Sequence, residues 1–310
     1  MVENNYCITG KGITKKFKNS VALNEISFQI KHNELFGFIG ADGAGKTTLF
    51  RIIISLMLAD SGELKVNGFD PVKEYRQIRN IVGYMPGKFS LYQDLSIEEN
   101  LNFFATIFET TLEENYSLIK NIYFQIEPFK NRRAGNLSGG MKQKLALCCA
   151  LIHKPKILIL DEPTTGVDPV SRKEFWEILG QLKKEGLTII VSTPYMDEAA
   201  LCDRISFMDK GKILTVDTPS ELINKFNKKI FAVKTKQQFK AINDLKKYKF
   251  SESVNLFGEY AHLITNSNFQ MRDEIKEIEK FLIENKHSEI DVKPINPTIE
   301  DCFMELAENE

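Results

Sequence analysis

Residues 35–58 read LFGFIGADGAGKTTLFRIIISLML. The apolar run Leu35 to Ile39 has strand character, and Thr47 to Leu58 has the apolar pattern of a helix. Between them Gly37, Gly40, Gly43 and Gly45 fall within nine positions. The segment Gly40-Ala41-Asp42-Gly43-Ala44-Gly45-Lys46-Thr47 matches G-x-x-x-x-G-K-[ST], following a strand and opening a helix. Glycines let the backbone curl so that N–H groups converge on phosphate oxygens, and the helix adds its positive N-terminal end. In such a loop Lys46 reaches the β- and γ-phosphates, Thr47 holds Mg²⁺ and Thr48 adds a phosphate hydrogen bond. The stretch therefore predicts a nucleoside triphosphate site.

The surroundings fit a largely parallel α/β sheet. Before the loop, the chain alternates like strands to about Val66, with Ser20 to Ile30 β-rich. Ile81 to Tyr84 is a short strand ended by Pro86-Gly87, and Lys156 to Leu160 (KILIL) and Thr188 to Ser192 (TIIVS) are buried strands. Helical patterns separate them, including Gly140 to Ile152. From Ser96 to about Arg133 the pattern is helical, with capping-box spacing at Ser96/Glu99 and Thr111/Glu114. Phe103, Phe104, Ile107 and Phe108 form an apolar stripe there, read as core. The strand Lys156 to Leu160 runs into Asp161-Glu162, which places Asp161 as a second Mg²⁺ partner and Glu162 to orient or deprotonate an attacking water.

Composition removes other classes. The 310 residues carry 41 Lys+Arg and 42 Asp+Glu, a net charge of −1, which argues against a nucleic-acid binder. With 43% hydrophobic residues the chain is not of the disordered type. Five cysteines, an odd number, with no C-x-x-C, read as reduced buried thiols of a cytosolic protein, and no histidine pair supports a zinc site. No apolar run approaches the roughly 18 residues of a membrane span.

After about Pro219 the character changes: Lys225 to Lys249 holds nine lysines and one acid, Asp244. The order strand (Ile230 to Lys234), helix, strand (Phe250 to Leu256), strand (Tyr260 to Thr265), helix (Met271 to Glu284), strand (Glu289 to Val292) fits a small ferredoxin-like domain. The lysine run reads as a solvated face, with contact to anionic lipid the lesser alternative.

Residues Asn136 to Gln143, NLSGGMKQ, lie about 20 residues before Asp161-Glu162. With them the chain resembles the ATP-binding subunits of ABC transporters over roughly Ile8 to Thr218, and Gly166-Val167-Asp168-Pro169 resembles their D-loop. A GTPase is disfavoured, since no N-K-x-D segment occurs. The resemblance implies an ABC-type ATPase core over residues 1–218, with a helical subdomain at about 88–153, and an accessory domain over 219–310. It implies ATP and Mg²⁺ as ligands and a head-to-tail pair of ATPase domains. Ser138, Gly139, Gly140 and Gln143 would then face ATP held by the partner, and Asp168 would lie at the D-loop. Phe17, 29 residues before Lys46, occupies the place of the family's adenine-stacking aromatic, with core packing as the alternative.

Three positions depart from the family pattern. Gly87 stands where the Q-loop glutamine is expected, Pro194 where the switch histidine is expected, and Asp42 replaces the usual asparagine. All three affect the chain's own phosphate site and none affects the signature. The resulting expectation is a degenerate site that turns over poorly, paired with a second ATPase subunit in a heterodimer, a homodimer being the alternative. The segments DEPTTGVDPVSR (161–172), YMDEA (195–199) and PTIEDCF (297–303) resemble bacterial export-type members. That implies a motor subunit peripheral on the cytoplasmic face of the inner membrane, docked on separate permease subunits through the surface from Gly87 to Phe108. A non-transport regulatory or soluble ABC-type protein is the alternative.

Overall fold

The alternating residues at the start of the chain form a long hairpin, β1 (Tyr6–Phe17) and β2 (Ser20–Lys31), in the computed structural model, which describes residues 5–308. The fully buried run that follows is β3 (Leu35–Ile39), and the phosphate-loop sequence leads from it into α1 (Lys46–Ile53). This helix stops five residues short of the apolar pattern. Ser55 takes a left-handed φ of 60°, and the amides of Leu56 and Met57 fold back onto the Arg51 carbonyl. Leu56 and Leu58, which prolong the periodicity, are exposed.

Next come β4 (Ser61–Val66), α2 (Tyr75–Ile81) and β5 (Val82–Met85), and then α3 (Ile97–Ile107), α4 (Leu112–Tyr123) and α5 (Gly139–Leu151). Both capping boxes form: Ser96 with Glu99 starts α3 and Thr111 with Glu114 starts α4. Continuing, β6 (Ile157–Asp161), α6 (Pro169–Lys184), β7 (Thr188–Thr193), the short α7 (Met196–Ala199), β8 (Arg204–Asp209) and β9 (Lys212–Asp217) complete the first of two units, which divide at Pro219/Ser220.

Two sheets organise this unit. One is antiparallel, in the order β2-β1-β4; the other runs β5-β6-β7-β3-β8-β9 and is parallel except at β8–β9. Helix α1 shares one core with both, through Leu49, Phe50 and Ile53 packed with Ile13, Leu23 and Phe28 of the first sheet and Phe38 and Ile159 of the second. The carboxyl ends of β3, β6 and β7 thus surround the loop that opens α1, the usual place for a ligand in such a sheet.

The second unit opens with α8 (Pro219–Asn224). It contains β10 (Lys229–Lys234), α9 (Gln238–Leu245), β11 (Ser251–Phe257), β12 (Tyr260–Thr265), α10 (Met271–Glu284), β13 (Asp291–Ile295) and α11 (Ile299–Glu308). Its sheet is antiparallel in the order β11-β12-β10-β13, the connectivity of two split β-α-β units. The last strand lies later than Glu289 to Val292, and α11 is an addition that the strand-and-helix pattern did not separate. Four lysines of the run are matched by acids elsewhere in the unit: Lys228 with Glu252 and Glu305, Lys229 with buried Glu274, Lys234 with Glu259 and Lys236 with Glu289.

The Phe103–Phe108 stripe is not core. Phe103 and Ile107 are 37% and 55% exposed, whereas α3 buries Ile97, Asn100, Leu101 and Ala105. Helical spacing marks a face without saying which face points inward. Asn100 wins the inner position because its side chain is fully bonded, accepting from the Tyr92 amide and donating to the Tyr92, Leu95 and Ser96 carbonyls.

Candidate functional site

The phosphate loop closes against two neighbouring strands. The Gly40 amide donates to the Thr193 carbonyl at the end of β7, at 3.3 Å. A Cβ on Gly40 would lie 2.1 Å from the Met208 carbonyl oxygen, and one on Gly45, at φ 107°, would lie 2.5 Å from that of Ala22. Only glycine fits either place. Lys46 is 3% exposed, and its Nζ donates to the carbonyls of Gly40 (2.8 Å) and Ala41 (3.0 Å) and sits 3.5 Å from Glu162 Oε1. Gly43 (φ 82°) turns the rim outward, where Ala41 and Asp42 are exposed, while Ala44 is buried. Thr47 and Thr48 are half-buried in the first turn of α1, which carries no acid.

Asp161 and Glu162 are set by β7. Cα register pairs Asp161 with Ser192, whose Oγ donates to Asp161 Oδ1 at 2.5 Å. The Glu162 amide donates to both the Ser192 carbonyl (3.1 Å) and its Oγ (3.0 Å). Glu162 adopts a left-handed φ of 49°, and these two acceptors hold that conformation against its cost of about 1–3 kcal/mol. Burial, with the Asp161 carboxylate nearby, pushes the Tyr84 phenol up to about 12. For a divalent cation, buried Asp161 and the half-buried Thr47 supply oxygen donors of the kind Mg²⁺ takes, beside a glycine cradle with no room for side chains. The residues fit that group.

Gly87 borders the same acids, and Pro194 follows the strand that holds them. A Cβ on Gly87 would lie 3.0 Å from the Asp161 carbonyl oxygen and 3.7 Å from Glu162 Cβ, and Pro194 directly follows Thr193. Phe17, at the tip of the β1–β2 hairpin, is 46% exposed with Lys15 Nζ 5.8 Å from its ring centre. Exposure removes the core-packing alternative for it.

The remaining predicted residues gather elsewhere in the unit. Ser138 caps α5, accepting from the Met141 amide at 3.3 Å, and Ser138 and Gly139 are exposed. Gly140 is buried against α6, where an added Cβ would meet Ser171 Oγ at 2.6 Å. Gln143 lies near the same contact, beside Thr164 and Ser171. Asp168 caps α6 by accepting from the Ser171 amide at 3.0 Å, a bond that holds its carboxyl below the usual range. The predicted residues thus form two groups, a phosphate cradle and a signature surface joined to α6.

Sequence reading missed Ser192, Thr193, Thr164, Arg172 and Glu198, which hold these groups in place. The available signal was Ser192-Thr193, two hydroxyls ending an apolar strand. It also missed the groove that aromatics of the Phe103–Phe108 stripe line. An apolar groove of about 370 Å³ is lined by Leu56, Tyr84, Leu91, Phe104, Phe108 and His153, among others. His153 stacks on Phe108 at 3.8 Å and its Nε2 meets the Val82 carbonyl at 3.3 Å. Among the described residues no group of acids, histidines and cysteines could hold a metal by itself, and no helix is long and apolar enough to cross a membrane.

Comparison with known proteins places this geometry. The family model described as ABC transporter matches residues 23–165. The probable multidrug ABC transporter ATP-binding protein YbhF of Escherichia coli is 42% identical over 223 residues, 71% of this chain. The chain spans only 39% of that relative's length. Nod factor export ATP-binding protein I of Burkholderia lata is 35% identical over 69% of this chain and 71% of its own length. For the linearmycin resistance ATP-binding protein LnrL of Bacillus subtilis the figures are 34%, 70% and 71%. Among solved structures, an ATP-binding subunit of an ABC transporter superposes with a TM-score of 0.65 at 26% identity, covering 71% of this chain and 93% of that one. A dimeric ATP-binding cassette in a post-hydrolysis state, bound to ADP and Pi, superposes with a TM-score of 0.63 at 26% identity, over 68% and 98%. With the phosphate cradle and the signature both in place and these likenesses running along the first unit, the chain belongs to the ATP-binding proteins of the ABC transporter family.

Proposed function

We propose that this chain is the ATP-binding motor subunit of an ABC exporter, coupling ATP binding and hydrolysis to separate permease subunits. The observation that carries this reading is the division of the predicted residues into two groups. A cradle with Lys46, Asp161 and Glu162 suits one ATP, and an exposed helix N-terminus at Ser138 and Gly139 suits the γ-phosphate of another, held by a partner. Lys46 holds phosphate charge, and Glu162 orients and takes the proton of the attacking water. Thr47 and Asp161 would hold Mg²⁺, which neutralises charge between the β- and γ-phosphates when bound. Phe17, being exposed, is free to stack on adenine. Export is supported by the names of the relatives, which speak of multidrug transport, Nod factor export and linearmycin resistance. The apolar groove with Phe104 and Phe108 offers the permease a docking surface, and in this reading the chain sits on the cytoplasmic face of the membrane.

The chain's own site is degenerate in this reading. Gly87 borders Asp161 and Glu162, Pro194 follows the strand that holds them, and neither offers a polar side chain to the γ-phosphate. The chain then works best in a heterodimer, lending Ser138 to Gly140 to a second ATPase. The test is steady-state hydrolysis by the purified chain. Turnover far below that of an intact family member, with ATP binding lost in Lys46→Ala, is expected. Ordinary turnover abolished by Glu162→Gln would instead indicate a competent homodimer.

A further inference from the structure

Glu198, on α7, is 1% exposed and touches neither the phosphate, the metal nor the water in the function proposed above. A carboxylate withdrawn from water this far is costly unless hydrogen-bonded and paired. Here each oxygen has its own partner: Thr164 Oγ1 donates to Oε1 at 2.6 Å and Thr193 Oγ1 donates to Oε2 at 2.5 Å. Arg172 Nε lies 3.7 Å from Oε1, and the Arg172 guanidinium stacks over the Tyr195 ring at 4.3 Å.

Each partner belongs to a different part of the nucleotide machinery. Thr193 receives the Gly40 amide on its carbonyl and the Tyr195 amide on its Oγ1 (3.0 Å), so it anchors the start of the phosphate loop and turns the chain around Pro194. Thr164 lies two residues beyond Glu162. Arg172 follows Ser171, the residue against which signature Gly140 packs. Hydrogen bonds to a charged acceptor are the strong ones, so a shift of Thr193 with the loop is resisted at Thr164 and Arg172 as well.

We infer that Glu198 is a positioning residue that ties the chain's own phosphate site to the α5–α6 surface it offers a partner. This rests on the reading that ATP binds at Gly40 to Thr48. Pro194 gives the role its point: the side chain at the position after β7 cannot bond phosphate, so the route from loop to α6 runs through Thr193 and Glu198.

Hydrogen–deuterium exchange of the full chain, with and without Mg·ATP, tests the inference. In the wild type, ATP slows exchange in segment 40–48 and also changes it in segment 166–172. In Glu198→Gln, which cannot accept from both threonines and balance Arg172, the first effect persists and the second shrinks by about fivefold or more, an ordinary coupling between sites. Thr164→Val removes the Oε1 donor, leaves the carboxylate with Thr193 and Arg172, and gives the same selective loss. It carries the test should Glu198→Gln fail to fold. A purely structural Glu198 would alter basal exchange without altering the response to ATP. A response at 166–172 that survives in a folded variant, or one absent from the wild type while segment 40–48 is protected, overturns the coupling alone. No protection of segment 40–48 in the wild type overturns the ATP reading, and this inference with it.

Discussion

At the scale of single residues, the site is decided by where a side chain is forbidden. Gly45 combines φ 107° with a neighbouring carbonyl 2.5 Å from any Cβ, and that carbonyl belongs to the β2 backbone, which cannot rotate away. Gly45→Ala is therefore expected to cost at least the roughly 1–3 kcal/mol of a disallowed conformation and to displace the Lys46 amine from its two carbonyls. Urea unfolding and titration with a fluorescent ATP analogue check both, and a variant with normal affinity would show that the cradle is softer than its contacts suggest. Gly87 obeys a milder version of the rule. At 3.0 Å from the Asp161 carbonyl, a new Cβ fits only if β6 or the loop after β5 gives a few tenths of an ångström. Restoring both family side chains should then work only in combination. Gly87→Gln with Pro194→His is expected to raise turnover by about a hundredfold, the lower end of acid–base contributions, with Gly87→Gln alone giving little. Unchanged turnover in the double variant would place the defect elsewhere, with Asp42 the next residue to change.

At the scale of elements, caps and buried polar groups decide more than apolar periodicity does. The PTIEDCF segment becomes α11 through a tight start: the Thr298 amide and Oγ1 both donate to Asp301 Oδ2, Thr298 Oγ1 accepts from the Asp301 amide, and Asp301 Oδ1 pairs with His262 Nδ1 at 2.7 Å. Thr298→Ala removes this cap and is expected to destabilise the second unit by about 1 kcal/mol. Burial works against the Asp301 charge, yet the bonds from His262 and Thr298 outweigh it and hold its carboxyl low. In α3 the capping box was legible from Ser96 and Glu99, but the inward face was not, because a fully bonded asparagine competes with phenylalanine for a buried place and composition cannot announce that. The parallel sheet and the phosphate loop were legible because glycine spacing and strand ends are local. The Glu198 network was not, because its members are 34 and 5 residues apart and meet only through the fold. The same limit hid His153, which follows α5 and whose burial holds its imidazole below the usual range, the Val82 carbonyl offsetting part of the shift. The folded state therefore disfavours its charged form. Its contribution is complete above the ordinary histidine value of about 6.5 and is lost as pH falls, with a slope of at most about 1.4 kcal/mol per pH unit. Unfolding measured at about pH 8 and pH 5.5 should show this loss, and His153→Phe should flatten it.

At the scale of the whole molecule, the question is how a chain with a net charge of −1 reaches a membrane. Nine lysines between Lys225 and Lys249 suggest electrostatic attachment to anionic lipid. If each acted freely near the surface, at about 1 kcal/mol apiece, they would give submicromolar binding. The second unit holds four of the nine in close ion pairs. Lys228, Lys229, Lys234 and Lys236 each lie within 3.2 Å of a carboxylate oxygen, and Lys240 Nζ donates to the Asn285 carbonyl. An acid beside each of these four cations weakens its field beyond about a Debye length, 8 Å at physiological salt, so the run is less basic than nine free lysines would make it. The chain is therefore expected not to sediment with phosphatidylserine vesicles at about 150 mM salt. Salt-sensitive binding that falls in a Lys246→Glu/Lys247→Glu variant would show that the pairs open at a membrane. In the function proposed above, attachment then runs through the apolar groove lined by Phe104 and Phe108. Phe104→Asp should then release the chain from membranes that contain its permeases while leaving ATP affinity unchanged, because that residue lines the groove and the phosphate cradle is built from β3, β6, β7 and α1.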